Sequence, residues 1–306
     1  MPSVYTLGEL AESELRRLHD NPGPTGLPSG LGLERRVPGG IPRDKVTTIF
    51  SEAGNYKTTF KNHLLISMAE AGYRVLDVSL EDSNELSAHR YLSRLSGVPY
   101  GTISGGVCTN EQLAGIEVTQ RAREIADRVM LVDSIDPTPD NIFRCALDNG
   151  AHAVAIDYIQ LISGGGSLKD RLDDLMMKAQ RFAKAKRIAP IFISQQKQGS
   201  ERDENDDPRP KMGDAFGSSA MRTGSKLLMG LFCPYNYCKA PSSTKGPYGM
   251  YARFMSANPA HADIYPQLIE CWILKNVLGA KAPIMLRVQP ETGVMQNFDH
   301  YMEPYF

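Results

Sequence analysis

The chain has 306 residues, of which 34 are basic and 35 acidic, with a formal net charge of −1. Its length and its 42% hydrophobic content fit a globular protein with one large α/β domain or two small ones. The near-neutral charge excludes an overall basic footprint for nucleic acid, so any contact with a phosphate backbone must come from local basic loops.

The sequence lacks clear targeting and metal-binding signals. No apolar run approaches the ~20 residues that cross a bilayer, and the N-terminus lacks the basic-then-apolar layout of a secretory signal. We therefore expect no membrane contact and a cytoplasmic location. The cysteines form no CxxC pair, which favours reduced, packed thiols over a zinc site or disulfides. They are Cys108, Cys145, Cys233, Cys238 and Cys271.

The first predicted element is a short amphipathic helix over residues 7–19, followed by a Pro/Gly-rich stretch that ends it. This helix has no core of its own, so it must dock either on the chain's own domain or on a neighbouring subunit. We interpret residues 1–24 as a linker and residues 25–306 as the main domain.

From residue 45 onward, strand and helix patterns alternate, which predicts a mostly parallel twisted sheet flanked by helices. Residues 238–266 are polar and rich in Pro and Gly, and no element is predicted there. The predicted helices span residues 57–71, 84–95, 110–125, 139–148 and 168–185. The predicted strands span residues 46–50, 74–80, 129–132, 153–157, 190–194, 226–232, 268–274 and 284–288.

The turn between the first of these strands and its helix has the layout of a phosphate-binding loop. Such a loop needs inward backbone N–H groups, a lysine for the β- and γ-phosphates and a hydroxyl for Mg²⁺. Lys57 and Thr58 supply the last two, which predicts ATP and Mg²⁺ as cofactors and Thr58 as a metal ligand. The predicted nucleotide-binding run is Glu52, Ala53, Gly54, Asn55, Tyr56, Lys57, Thr58 and Thr59.

This loop departs from the usual G-x-x-x-x-G-K-[ST] pattern at both glycines, since Ser51 and Tyr56 stand in their places. Gly54 supplies one permissive backbone position between them. The Tyr56 side chain either points outward and leaves the loop functional, or crowds the site and weakens nucleotide binding. Read alone, the motif also fits an ordinary strand-to-helix turn.

Three further strand ends carry side chains suited to ATP hydrolysis. Glu81 follows the second predicted strand as a candidate base, and Asp157 closes an apolar strand as a candidate Mg²⁺ ligand. Gln195 follows the next strand, where it can contact a γ-phosphate. Because parallel strands meet ligands at their carboxyl edge, these residues are predicted to gather around Lys57.

Over residues 25–298 the chain resembles the helicase domain of the DnaB-type hexameric replicative helicases. The resemblance is carried by the segments 25–30 and 39–44, 75–81, 90–98, 156–161, 193–196, 274–276 and 290–293. It implies a RecA-like P-loop ATPase core with antiparallel C-terminal strands, without the family's N-terminal collar or a primase domain. It also implies a hexameric ring with ATP between subunits, and favours docking of residues 7–19 on a neighbouring subunit.

The resemblance further implies a basic residue that reaches the neighbour's nucleotide. Lys275 matches a lysine of that trans-acting strand, and Val277 stands where the family commonly has an arginine finger. Lys281 and Arg222 are the alternatives, and Lys281 also fits a solvated loop lysine.

DNA contacts in this family come from loops in the central channel, here residues 163–170 and 198–219. Phe216 either stacks on a base or anchors its loop. The acidic run at residues 203–207 opposes a simple phosphate grip there. The DNA-contact candidates are Lys169, Arg171, Arg202, Arg209, Lys211 and Phe216.

Three functions are compatible with these features. The first is an ATP-driven, ring-forming replicative DNA helicase that moves on single-stranded DNA, with a primase or loader as partner. The second is a RecA- or KaiC-like ATPase that assembles on DNA or on itself without unwinding. The third is a hydrolysis-impaired nucleotide-binding assembly module. The runs ending at Glu81 and following Asp157 favour the first, and retention of Glu81 counts against the third.

Overall fold

The β-strands of the chain join in one sheet with the order β3-β2-β4-β5-β1-β6-β7-β8-β9. The structure is a computed structural model, and it describes residues 5–20, 23–117, 120–196, 207–215, 219–242 and 245–302. The strands are β1 Thr47–Ser51, β2 Val75–Ser79, β3 Val129–Val132, β4 Ala153–Asp157, β5 Ala189–Gln195, β6 Leu227–Phe232, β7 Leu268–Asn276, β8 Pro283–Gln289 and β9 Val294–Asn297.

The sheet has a parallel and an antiparallel part. Strands β3, β2, β4, β5, β1 and β6 pair in parallel, whereas β7, β8 and β9 extend the sheet antiparallel from β6. Every residue of β1, β2 and β4 is buried, as expected for strands covered on both faces. The predicted mostly parallel sheet with antiparallel C-terminal strands is confirmed.

Helices cover both faces of this sheet. One core cluster lies between the sheet and the helix that follows β1, and the second lies beneath the helices around residues 139–186. The helices are α1 Leu7–Asp20, α2 Lys57–Glu70, α3 Asn84–Ser96, α4 Tyr100–Ser104, α5 Asn110–Ile116, α6 Gln120–Ala126, α7 Pro139–Asp148, α8 Leu168–Lys186, α9 Ser219–Gly224, α10 Pro234–Tyr237, α11 Gly249–Ala257 and α12 Asp299–Met302.

One predicted helix was wrong, and four short helices were not predicted. The single helix predicted over residues 110–125 is two helices, because α5 ends at Ile116 and α6 begins at Gln120; residues 118–119 lie outside the described part of the chain. The sequence Gly115 to Thr119 contains weak helix formers, which the apolar periodicity alone does not register. The helices α4, α9, α10 and α12 were missed, since each has at most six residues, too few to show a period.

The stretch 238–266 is more ordered than its polar composition indicates. It contains α11 and a 3-10 helix, Pro259–Gln267, and both carry aromatic residues into a third core cluster. Tyr251 and Tyr265 are fully or almost fully buried there, at 0% and 2% exposure. The aromatic residues are too widely spaced to raise the average hydrophobicity, so composition concealed this part of the core.

Helix α1 forms as predicted, but none of its residues is buried within the chain. Leu7, Leu10, Leu15 and Leu18 are between 49% and 84% exposed. Glu14 and Arg17 border a recess that is also lined by Arg43 and other residues of the main domain. None of the residues that the structure describes therefore covers the apolar stripe of α1.

Within the described residues, no helix combines the length and the apolar character that crossing a membrane requires.

Candidate functional site

The loop between β1 and α2 takes two left-handed backbone positions. Gly54 has φ 78°, and Tyr56, the residue before α2, has φ 60° and ψ 28°. Tyr56 thus adopts a conformation that glycine usually supplies and other residues reach only with strain. Its ring packs against the core cluster on the α2 side of the sheet and also borders the cleft described below. The side chain therefore neither points simply outward nor lies wholly within the site, which were the two alternatives considered from the sequence. Burial raises the pKa of its hydroxyl.

The same loop is braced from outside by the turn after β6. The buried Asn55 side chain accepts a hydrogen bond from the backbone N–H of Cys233 at 2.7 Å. Asn236 donates to the Gly54 carbonyl at 3.1 Å, and the Tyr237 hydroxyl donates to Glu52 Oε2 at 2.8 Å. The side chains of Glu52 and Asn55, both in the predicted nucleotide-binding run, therefore contact this turn and hold the loop in shape.

Lys57 begins α2 and lies over the loop. Its ammonium donates to the carbonyl oxygens of Ser51 at 3.0 Å and Glu52 at 2.8 Å. Burial lowers the pKa of Lys57, and the nearby carboxylates of Asp157, Glu81 and Glu52 oppose that shift. The lysine is thus placed among acidic groups, above backbone that curves around an open space.

That space is a cleft of about 420 Å³ at the carboxyl ends of the parallel strands. It brings together the side chains predicted from four separate strand ends. Two of its residues, Arg90 and Tyr158, were not predicted as site residues. The lining residues are Ala53, Gly54, Tyr56, Lys57, Thr58, Thr59, Glu81, Arg90, Asp157, Tyr158 and Gln195.

The topology explains why these residues meet. Strands β2, β4, β5 and β1 are consecutive neighbours in the sheet and run in parallel, so their carboxyl ends lie side by side. In register, Ser79 pairs with Asp157 and Ser51 with Gln195. The sequence therefore predicted the gathering correctly from strand ends alone, and the chemical roles of the side chains stay predictions.

Glu81 is an exposed carboxylate in a negative neighbourhood. Partial burial raises the pKa of its carboxyl, and the charges of Asp157 and Asp82 raise it further; Arg90 and Lys57 act in the opposite direction. A carboxylate with an upward-shifted pKa accepts a proton more readily than an ordinary surface glutamate.

Arg90 crosses the cleft from α3. It forms an ion pair with Asp82, the residue after Glu81, and its guanidinium lies 5.4 Å from the ring centre of Tyr100. A separation of nine residues from Glu81 does not match any motif that could have identified Arg90 from the sequence. Arg90 belongs to the site because the fold places its helix, α3, beside the cleft.

Asp157 is buried at the end of β4 and belongs to a charged network that the sequence did not indicate. Lys61, one helical turn after Lys57, places its ammonium 3.3 Å from Asp157 Oδ2. The same ammonium lies 2.8 and 2.9 Å from the two oxygens of Asp77, whose Oδ2 accepts a 2.8 Å hydrogen bond from Tyr91. Burial lowers the pKa of Lys61, but the two carboxylates outweigh it and the net shift is upward.

Gln195 ends β5 with an exposed side chain at the cleft. Its backbone is tied to the 3-10 turn after β4, because Gln160 Nε2 donates to Ser194 Oγ at 2.9 Å and Gln160 Oε1 lies 3.5 Å from the Gln195 nitrogen. The turn after the Asp157 strand thus holds the end of the Gln195 strand.

Lys275 lies on the antiparallel part of the sheet and does not line this cleft. Its ammonium donates to the carbonyl oxygens of Arg222 at 2.7 Å and Thr223 at 2.9 Å, which end α9. Burial lowers its pKa, as do the nearby charges of Lys226 and Lys281. Val277, Arg222 and Lys281 are exposed. The predicted role of Lys275 concerned a neighbouring subunit, and it stays a prediction.

The DNA-contact candidates fall into three groups: residues outside the described part of the chain, exposed residues, and residues that are held by hydrogen bonds within the chain. Arg202 and Phe216 lie outside the described residues. Lys211 is exposed, and so is Lys169, which pairs with Asp173 at 3.1 Å. Arg171 donates to the Ile162 carbonyl at 2.7 Å and so supports the loop that follows the Asp157 strand.

The prediction that Arg209 reaches a phosphate is not supported. Its guanidinium makes two hydrogen bonds of 2.7 and 2.9 Å to Glu270, which is fully buried, and a third of 2.7 Å to the Pro247 carbonyl. Burial alone lowers the pKa of Arg209, but the bonds and charge of Glu270 raise it overall. Arg209 therefore fixes the chain after residues 197–206 onto β7.

No metal cage of three or more His, Cys, Asp or Glu side chains occurs among the residues that the structure describes. The five cysteines are free, as predicted. Several side chains of the cleft carry oxygen donors, among them the predicted metal ligands Thr58 and Asp157, and such hydroxyl and carboxylate oxygens suit a hard cation completed by water and phosphate oxygens.

Comparison with known proteins identifies a relationship over nearly the whole chain. A family model of the DnaB-like helicase C-terminal domain matches residues 26–295. The replicative DNA helicase DnaC of Bacillus subtilis (strain 168) is 22% identical over 229 residues. This alignment covers 71% of the present chain and 50% of the relative, so the chain spans about half the length of that curated protein.

Two solved structures share the fold. The ATPase domain of G40P superposes with a TM-score of 0.80 at 18% identity, covering 97% of this chain and 100% of that one. A DnaB-like replicative helicase, described with its interactions with primase, superposes with a TM-score of 0.75 at 18% identity. There the match covers 96% of this chain and 67% of the other.

Proposed function

The chain belongs to the family of DnaB-like helicase C-terminal domains, and we propose that it is the ATP-hydrolysing motor of a ring-forming replicative DNA helicase. The observation that carries this proposal is the cleft where Lys57, Glu81, Asp157 and Gln195 converge from four neighbouring strand ends. Fold alone does not determine function, and these side chains are the groups that ATP hydrolysis needs.

Binding of ATP and Mg²⁺ follows from the donors in the cleft. The loop backbone and Lys57 hold the β- and γ-phosphates, with the Lys57 ammonium released from the Ser51 and Glu52 carbonyls to do so. The Thr58 hydroxyl and the Asp157 carboxylate hold Mg²⁺, which neutralises charge on the phosphates when bound.

Hydrolysis then requires a base and a group that responds to the γ-phosphate. Glu81 accepts a proton from the attacking water as the new oxygen–phosphorus bond forms and the bond to ADP breaks. Its upward-shifted pKa suits this role because a slightly basic carboxylate is a better proton acceptor. Gln195 contacts the γ-phosphate, and its backbone link to Gln160 connects the γ-phosphate contact to the loop after β4.

Assembly into a hexameric ring completes the proposal. Lys275 lies away from the chain's own cleft, which suits a residue that serves a neighbouring subunit. The exposed leucines of α1 form an apolar stripe that its own chain leaves uncovered, which favours residues 1–24 as a linker docking on the next subunit and residues 25–306 as the motor. Single-stranded DNA in the ring channel, with a primase or loader outside it, is the partner set we propose.

Two other functions remain as competitors, and different observations bear on them. A RecA- or KaiC-like ATPase without unwinding shares the fold, but the matching family model favours the helicase. A hydrolysis-impaired assembly module fits the unusual Tyr56, yet Glu81 lines the cleft with a pKa shifted toward base function.

The test combines ATP turnover with strand displacement on a forked duplex, with and without single-stranded DNA. We expect DNA-stimulated turnover together with displacement of the paired strand. Turnover without displacement indicates the non-unwinding ATPase, and nucleotide binding without turnover indicates the assembly module. Either result contradicts the helicase proposal.

A further inference from the structure

The buried network around Lys61 joins four elements of the fold. Lys61 comes from α2, Asp77 from β2, Tyr91 from α3 and Asp157 from β4. All four residues are at most 6% exposed. The Lys61 ammonium contacts three carboxylate oxygens, and Tyr91 donates to the Asp77 oxygen Oδ2.

Such a network is costly unless every charge has a partner. Removing an ammonium or a carboxylate from water costs several kcal/mol, on the order of what a well-placed opposite charge restores. Lys61 and Asp77 already balance one another at 2.8 Å. An ion pair with a purely structural role would need no partner beyond these two residues. The third contact, from Lys61 to Asp157 Oδ2, therefore links the pair to the cleft.

The position of Lys61 makes that link specific. It lies four residues after Lys57 and so on the same face of α2, with Lys57 at the cleft and Lys61 one turn deeper. Asp77 and Tyr91 hold the ammonium from behind. The network contains one positive and two negative side chains, and the surplus negative charge belongs to the carboxylate at the cleft.

We propose that Lys61 is a positioning residue that holds Asp157 Oδ2, so that the other oxygen, Oδ1, is presented to Mg²⁺ beside Thr58. The proposal rests on the proposed function, since it assigns a partner to the carboxylate that binds the cation there. A group behind a metal ligand fixes the ligand's orientation, and loss of such a group typically weakens metal affinity by about 10–100-fold.

The experiment uses a variant that removes Lys61 together with the Asp77 carboxylate and the Tyr91 hydroxyl behind it, so that only Asp157, at the cleft, loses a buried partner. Lys61→Met, Asp77→Leu and Tyr91→Phe replace these three side chains by apolar groups of similar size, a type of change that is often neutral or stabilising. Binding of a fluorescent ATP analogue is titrated at several Mg²⁺ concentrations and in EDTA. Thermal unfolding confirms that the variant is folded.

We expect the Mg²⁺ concentration for half-maximal enhancement of analogue binding to rise about tenfold or more in the triple variant. Binding in EDTA should stay close to wild type, because Lys57 and the loop are untouched. Tyr251→Phe removes a buried hydroxyl–carboxylate bond whose partners do not line the cleft, and it serves as the control. It should lower stability without changing the Mg²⁺ dependence.

The outcomes separate the two proposals. If the Mg²⁺ concentration for half-maximal enhancement is unchanged or lower in the folded triple variant, the role of Lys61 is overturned and its network is purely structural. A wild-type protein that binds no analogue under any condition contradicts the proposed nucleotide site itself.

Discussion

In the part of the chain that the structure describes, one buried ion network lies in the parallel part of the sheet and another in the antiparallel part. The first joins Lys61, Asp77 and Asp157 and opens on the cleft. The second joins Arg209, Glu270 and Tyr251 and fixes a loop to β7. Under the proposed function, the network that ends at the concave surface takes part in nucleotide binding, whereas the other network only holds the fold together.

The partners of Glu270 show how completely the second network is closed. Arg209 supplies two hydrogen bonds, Tyr251 supplies a hydroxyl, and the Trp272 indole donates at 2.5 Å. The guanidinium also lies 5.7 Å from the Trp272 ring centre. All these partners of Glu270 are supplied by its own chain, so this network is expected to contribute stability and no chemistry.

The largest expected effect is the loss of ATP turnover in Glu81→Gln, a change at the cleft. We expect turnover to fall by about 10²–10⁴-fold, because the variant retains the size of the side chain and loses the proton acceptor. Nucleotide affinity and thermal stability should stay near wild type. Steady-state ATP turnover and analogue binding measure the two effects, and equal turnover in variant and wild type would remove Glu81 as the base.

Breaking the network around Glu270 should instead lower the stability of the fold and leave ATP turnover unchanged. Arg209→Met leaves Glu270 buried without its cation, and we expect a loss of about 3–5 kcal/mol in the free energy of unfolding. ATP turnover per folded molecule should be unchanged. Urea unfolding monitored through Trp272 gives the first quantity. A stable variant with weakened DNA binding would instead restore Arg209 as a DNA contact.

A smaller effect is expected from Asp82→Asn, which changes the charge beside the base. Turnover should rise with pH as Glu81 ionises, at a pKa above the usual glutamate value. Asp82 helps to raise that pKa, so its neutralisation should move the acid limb of the pH–rate profile to lower pH. A limb that stays in place, or moves upward, would show that another group controls it.

The smallest effect concerns the backbone of the loop. Tyr56→Gly and Tyr56→Ala both lose the packing of the ring, but only alanine retains the cost of the left-handed conformation. We expect the glycine variant to be more stable than the alanine variant by about 1–2 kcal/mol, measured by urea unfolding. Equal stabilities would indicate that the loop changes conformation when the ring is removed.

The residues at strand ends could be predicted from the sequence, because their position depends on local patterns. Lys57, Glu81, Asp157 and Gln195 each lie at or just after the end of an apolar strand, so their place at the carboxyl edge could be read from local pattern and topology. The bounds of the eight predicted strands agree with the structure within a few residues for the same reason, whereas the four-residue strand β9 was not predicted. The resemblance to the DnaB-type helicases, carried by segments such as 156–161, extended this reading to the antiparallel strands.

Long-range pairing could not be predicted in this way. Lys61 lies in a part of α2 where every residue from Phe60 to Ala69 is buried, so no periodicity marks one face as special. Its partner Asp77 is sixteen residues away, in the middle of a strand. Arg209 follows an acidic run and looked like a loop cation, because its partner Glu270 is 61 residues further along the chain.

The central claim is that the cleft at Lys57 is an ATP-hydrolysing site, and the most direct test is the turnover of Lys57→Ala. Lys178→Ala, which removes a lysine of α8 that pairs with Asp140 and Asp174 and does not line the cleft, is the matched control. The account predicts that turnover is abolished in Lys57→Ala and retained in Lys178→Ala. Undiminished turnover in a folded Lys57→Ala protein would contradict it.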